Sequence, residues 1–246
     1  MSTRVIHWFK FASPQNFYGL AGRLWPWFAA AAALLACVGL WISFFVAPVD
    51  AQQGQGYRII FVHVPASQMA MLIYLVMAAW AGIGLAFNTR LSGMMASALA
   101  PTGALFAFLS LATGALWGKP MWGAWWVWDA RLTSTLILLF LYLGFLALQS
   151  SIDDPRRADK ACAVLALVGA VNIPIIYFSV KWWNTLHQGA SVSLTAAPSM
   201  ASTMLWGMLT IVAAFWLYAI AVALARVRTI ILDRERHTEW VKYAVE

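Results

Sequence analysis

The chain has 246 residues, 63% of them hydrophobic and only 10% charged, with a formal net charge of +7. A soluble domain carries roughly a quarter charged residues, so this composition excludes an ordinary water-soluble fold. The basic excess is spread as a membrane-topology signal, and it calls for no nucleic-acid partner.

Six runs contain no Asp, Glu, Lys, Arg or His: residues 24–46, 65–87, 94–117, 132–149, 161–180 and 201–225. Each matches the ~20 residues needed to cross a ~30 Å hydrocarbon core. Only helices and closed barrels satisfy their backbone groups in lipid. The runs lack period-two alternation, so they are predicted as helices. The expected fold is an all-α integral membrane protein, a single six-helix domain over residues 1–246. Its first run is too long for a cleaved signal sequence and is read as an uncleaved span.

With the N-terminus in the cytoplasm, twelve basic residues face inward, among them Arg23, Arg90, Arg156, Arg157, Lys160, Arg226 and Arg228. Only Arg58, Lys119, Arg131 and Lys181 face outward. The positive-inside rule therefore puts both termini in the cytoplasm, in a multi-pass protein of the bacterial inner membrane. The first outer connection, residues 47–64, holds Asp50, Arg58 and His63. Pro65 follows closely. This places His63 at the rim, in the first turn of span two, with Val64 pushed toward an extended conformation. Residues 88–93 form a short inner connection, and Pro101 is expected to kink span three. The second outer connection, 118–131, is dense in tryptophan. Asp153-Asp154-Pro155 marks an inner turn, and Pro174 is expected to kink span five. The third outer connection, 181–200, holds Trp182, Trp183, Asn184 and His187. Cys37 and Cys162 lie at different depths, ~20 Å and ~3 Å from the inner side at ~1.5 Å per residue, which excludes a disulfide between them. His7 and His237 are inward surface residues. No internal repeat marks a transporter built from inverted halves.

The outer side carries the chemistry. Residues 117–129 contain five of the chain's 15 tryptophans: Trp117, Trp122, Trp125, Trp126 and Trp128. Interfacial tryptophan at a helix end accounts for one or two of these. If residues 121–129 are helical, Trp122, Trp125 and Trp126 share a face, a rigid apolar platform edged with N–H donors. Such a platform suits a large planar ligand. Arg58, Arg131, Lys119 and Lys181 are the available partners for its carboxylates. His63 and His187 are the outward imidazoles, suited to axial ligation of a metal. A flat ring with acidic edges and a metal centre describes haem. Asp129 either orients Arg131 or caps span four.

The run Trp117-Gly-Lys-Pro-Met-Trp-Gly-Ala-Trp-Trp-Val-Trp-Asp129-Ala-Arg131 resembles the tryptophan-rich WWD signature of membrane haem-handling proteins. Within them the chain resembles the cytochrome c maturation protein C, or haem exporter protein C, family. The likeness extends to Tyr57-Arg-Ile-Ile-Phe-Val-His63-Val-Pro and Trp182-Trp-Asn-Thr-Leu-His187-Gln-Gly, covering nearly the whole length. It implies that haem, as non-covalent haem b, is held at the periplasmic face and passed to a periplasmic haem chaperone for c-type cytochrome biogenesis. His63 and His187 would be the iron ligands. Trp117, Trp122, Trp125, Trp126, Trp128 and Asp129 would form the platform, with Arg58, Arg131 or Lys181 on the propionates. The implied partners are that chaperone, the ATPase and membrane subunits of an ABC transporter, and a small single-span protein of the same system.

The runner-up reading is a membrane subunit of an ABC-type exporter moving haem or another amphiphile. The chain has no Walker A sequence and its six runs lack ionisable groups for ion coupling. A b-type electron carrier needs histidines within the spans, where there are none, and a c-type cytochrome needs Cys-x-x-Cys-His. A purely structural scaffold would purify colourless. No acid, base or nucleophile stands out, so a transfer protein is expected rather than an enzyme.

Overall fold

The computed structural model describes residues 8–183, 185, 187, 192 and 197–245; His7 and Asn184 lie outside them. Among these residues eight α-helices follow in chain order: α1 Pro14–Trp41, α2 Ile60–Phe87, α3 Arg90–Trp122, α4 Ala130–Ser151, α5 Pro155–Gly169, α6 Asn172–Trp182, α7 Ser202–Arg234 and α8 Glu239–Val245. With α5 and α6 in line as one span, six segments are long and apolar enough to cross a membrane. They extend several residues beyond the charge-free runs at most ends, because helix propensity does not stop where a basic residue begins.

Helix α3 lies at the centre, the most enclosed of the six. Its first third, Leu91 to Ala100, is buried throughout. The run is dominated by Ala, Ser, Gly and Met, which let neighbouring backbones approach. Helix α2 packs along α3, α4 and α5 close the other side, and α1 lies against α7. The main core joins Met69, Tyr74 and Met77 of α2 to Ala100, Phe106 and Ala107 of α3, Leu138, Tyr142 and Phe145 of α4, and Ala166 of α5.

Proline acts differently at positions 65, 101 and 174 of the spans. Helix α3 runs unbroken through Pro101. Pro174 behaves as expected of a residue whose ring collides with the carbonyl four positions earlier. That carbonyl belongs to Ala170, where α5 ends, and it accepts instead from the Ile173 amide at 3.1 Å. Pro65 lies inside α2, whose first residue is Ile60. A 3-10 turn over Gln55–Ile59 delivers the chain already wound. Val64 is therefore helical, and the extended conformation expected for it is corrected. His63 is likewise buried rather than placed at the rim.

The two ends of the bundle differ. At one end, Arg234 makes a two-pronged ion pair with Asp159, and Arg90 lies 2.9 Å from Glu235. These contacts tie α7 to α3 and α5. Tyr18 of α1 meets Trp240 of α8 there at 5.8 Å, so both terminal regions share this end. His63, the tryptophans of 117–128 and His187 gather at the other.

Candidate functional site

Four segments converge on a narrow cavity of about 30 Å³ at the aromatic end. Helix α2 supplies His63 and Ser67. Helix α3 supplies Ser110, Gly114, Trp117 and Trp122, and α4 supplies Arg131, Leu132 and Thr135. His187 closes the wall from the connection after α6. The His63 and His187 rings lie 5.9 Å apart, centre to centre, with planes inclined at 36°. The two residues are far apart in sequence, so the fold alone brings them together.

His63 is only 6% exposed. Its Nδ1 lies 3.0 Å from the Thr113 hydroxyl, and its ring meets the Trp117 indole edge-on at 5.7 Å. Trp117 is buried between His63, Tyr57 and Trp122. Its indole N–H donates to Gln53 Oε1 at 2.8 Å, which anchors the connection between α1 and α2 to α3.

Residues 124–129 are not helical, so the helical platform expected over 121–129 is corrected. Helix α3 ends at Trp122 because Gly123 adopts φ 77°, a left-handed cap open to glycine. Asp129 then starts α4, its Oδ1 accepting from the Leu132 amide at 2.8 Å. The capping role foreseen for Asp129 is the one observed. The tryptophans consequently separate. Trp117 and Trp122 line the cavity, while Trp125 and Trp128 are 55% and 78% exposed. Trp126 packs against Trp128 at 5.4 Å. The Trp126 indole nitrogen and Asp129 Oδ2 are buried without a hydrogen-bond partner among the described residues.

The four cations of this end have distinct settings. Arg131 lines the cavity and donates from Nη1 to the Ile176 carbonyl at 2.9 Å, joining α4 to α6. Arg58 is turned toward the first span: it donates to the Ser43 and Ala47 carbonyls and to Gln55 Oε1. There it ties down a wide five-residue turn, Ile42–Val46, at the end of α1. Lys119 bonds the Gly123 carbonyl at 3.1 Å, and Lys181 lies over the Phe178 ring at 5.9 Å. Only Arg131 of the four borders the cavity.

Sequence reasoning missed Ser67, Ser110, Thr113, Gly114 and Thr135. Their signal is nonetheless visible: Ser110, Thr113, Gly114 and Trp117 fall at i, i+3, i+4 and i+7 on one face of α3. Small and hydroxyl residues at helical spacing inside a span mark a polar seam.

The family described as "Heme exporter protein C" matches residues 7–242. The chain belongs to this family. It is 46% identical over 239 residues to the heme exporter protein C of Escherichia coli K12, covering 97% of this chain and 95% of that one. The Bradyrhizobium diazoefficiens protein of the same name is 49% identical over 91% of this chain and 84% of its own. That of Haemophilus influenzae is 45% identical over 94% of each. Together with the six apolar segments, membership makes the chain a multi-pass protein of the bacterial inner membrane.

Proposed function

We propose that this chain binds haem between His63 and His187 at the periplasmic face of the inner membrane, and hands it to a periplasmic haem chaperone for c-type cytochrome maturation. Haem is its cargo and is bound without a covalent link. The observation that carries the reading is the meeting of the two imidazoles. With metal–nitrogen bonds of ~2 Å, imidazoles on opposite sides of one metal have ring centres roughly 6 Å apart, and the observed separation is 5.9 Å. The printed name of the relatives concerns haem, and neutral imidazole is an iron ligand.

The rest of the cavity suits the same cargo. Trp117 and Trp122 give apolar walls for a macrocycle. Arg131 offers a guanidinium for a propionate. Exposed Trp125 and Trp128 are placed to meet the partner that collects the haem. A cavity of about 30 Å³ holds no more than about one water molecule. A porphyrin therefore requires the cavity walls to part, while the imidazoles already stand at coordinating separation. The periplasmic side is supported by charge, since the opposite end carries most of the basic residues. The ATPase and membrane subunits and the small single-span protein belong to the same proposal as partners that drive release.

The purified protein is expected to show a haem absorption band that disappears in the double variant His63→Ala, His187→Ala. An unchanged band in that variant would overturn the ligand assignment. Haem retained at the outer face in membranes lacking the ATPase separates handling from export, because an exporter could not move haem there without its energy source.

A further inference from the structure

We infer that Thr113 sets the tautomer of His63, holding the proton on Nδ1 so that the Nε2 lone pair is left for the incoming ligand. The assignment deepens the haem-binding reading and rests on it for its purpose, though not for its geometry. A threonine hydroxyl has one proton to give. The Thr113 oxygen lies 2.6 Å from the Leu109 carbonyl and 3.2 Å from the Ser110 carbonyl. Carbonyl oxygens only accept, so the hydroxyl proton is committed to the backbone of α3. Toward His63 Nδ1, 3.0 Å away, the same oxygen presents lone pairs alone. A neutral imidazole bonds to it only by donating N–H from Nδ1, and the opposite nitrogen, Nε2, is then the unprotonated one.

The surroundings leave the ring little freedom to choose otherwise. His63 is buried, the Trp117 indole stands edge-on at 5.7 Å, and a Cβ on Gly114 would lie 3.1 Å from its Cε1. Thr113 and Gly114 sit on the same turn of α3 and grip neighbouring atoms of one ring. Metal-binding histidines commonly have their second nitrogen oriented in this way, and loss of the orienting partner costs 10–100-fold in affinity. Thr113 is thus a positioning residue. It does not touch the cargo, and it makes α3 the reference against which the His63 lone pair is aimed.

NMR of the full-length protein in detergent, with isotope-labelled histidine, without haem and at a pH where imidazoles are neutral, tests the assignment. The His63 signal is identified by its loss in His63→Gln. Wild type and Thr113→Ser are expected to show protonated Nδ1 and unprotonated Nε2. Thr113→Val, equal in size but without the hydroxyl, is expected to lose that single tautomer and to bind haem 10–100-fold more weakly, with Thr113→Ser within a few fold of wild type. Nε2–H in the wild type overturns the inference, as does Thr113→Val keeping wild-type tautomer and affinity. An Nδ1–H tautomer in a protein that binds no haem leaves the inference standing and removes the function proposed above, so the two failures are told apart.

Discussion

At the residue scale, the site depends on what is missing from Gly114 as much as on what its neighbours carry. The Cβ of an alanine there would lie 3.1 Å from His63 Cε1 and 3.6 Å from Nδ1. That is tight enough to push a buried imidazole by a few tenths of an ångström. Glycine inside a helix costs about 1 kcal/mol relative to alanine, so Gly114→Ala should favour α3 while displacing the ligand. Haem affinity of this variant is expected to fall several-fold while its thermal midpoint in detergent stays level or rises. A parallel loss of both would show that Gly114 serves packing rather than the ring. The importance of this glycine was hidden in the sequence because a glycine in an apolar run has many reasons to be there. His63 was legible because an ionisable residue is costly to place in lipid without a use, and the tryptophans because five in one connection exceed what an interfacial belt accounts for.

At the scale of elements, the bundle is held by tyrosines seated in notches. Tyr74 of α2 and Tyr142 of α4 meet edge to face at 5.0 Å, and the Tyr142 hydroxyl donates to the Ala70 carbonyl at 2.8 Å. A Cβ on Gly103 would fall 2.1 Å from Tyr142 Cζ, and one on Gly169 2.1 Å from the Tyr74 hydroxyl. Neither ring has anywhere to go, being wholly buried. Gly103→Ala therefore overpacks the junction of α3 and α4, and is expected to cost 1–3 kcal/mol or more, read as a lowered unfolding midpoint in detergent. Gly144→Ala on α4, whose nearest neighbour would be 3.7 Å away, serves as the tolerated control. The spans were legible as lengths of apolar sequence, since lipid imposes that length directly. Their internal breaks were legible only in part. Pro174 falls just after α5 gives way to α6 while α3 runs through Pro101, a difference that the residue type alone does not encode. The tryptophan segment failed as a helix for a local reason that was available in the sequence: Gly123 closes α3, and Asp129 opens α4.

At the scale of the whole molecule, the two ends are built for different surroundings. One end holds both terminal regions and the Asp159–Arg234 and Arg90–Glu235 pairs, with Arg156, Arg157, Arg226, Arg236 and Lys242 around them. The other end has four cations, three of which spend their donors on backbone carbonyls: Arg58 on Ser43 and Ala47, Lys119 on Gly123, and Arg131 on Ile176. Under the proposed function, this asymmetry in basic residues directs the aromatic end outward by the positive-inside rule. In intact cells carrying Cys37→Ser, a membrane-impermeant maleimide should label Trp128→Cys, whose position is 78% exposed, and should reach Arg236→Cys only after the membrane is opened. Labelling in the reverse order would put both imidazoles beside the cytoplasm. A periplasmic carrier could then never meet the site, whatever the spectra of the purified protein showed.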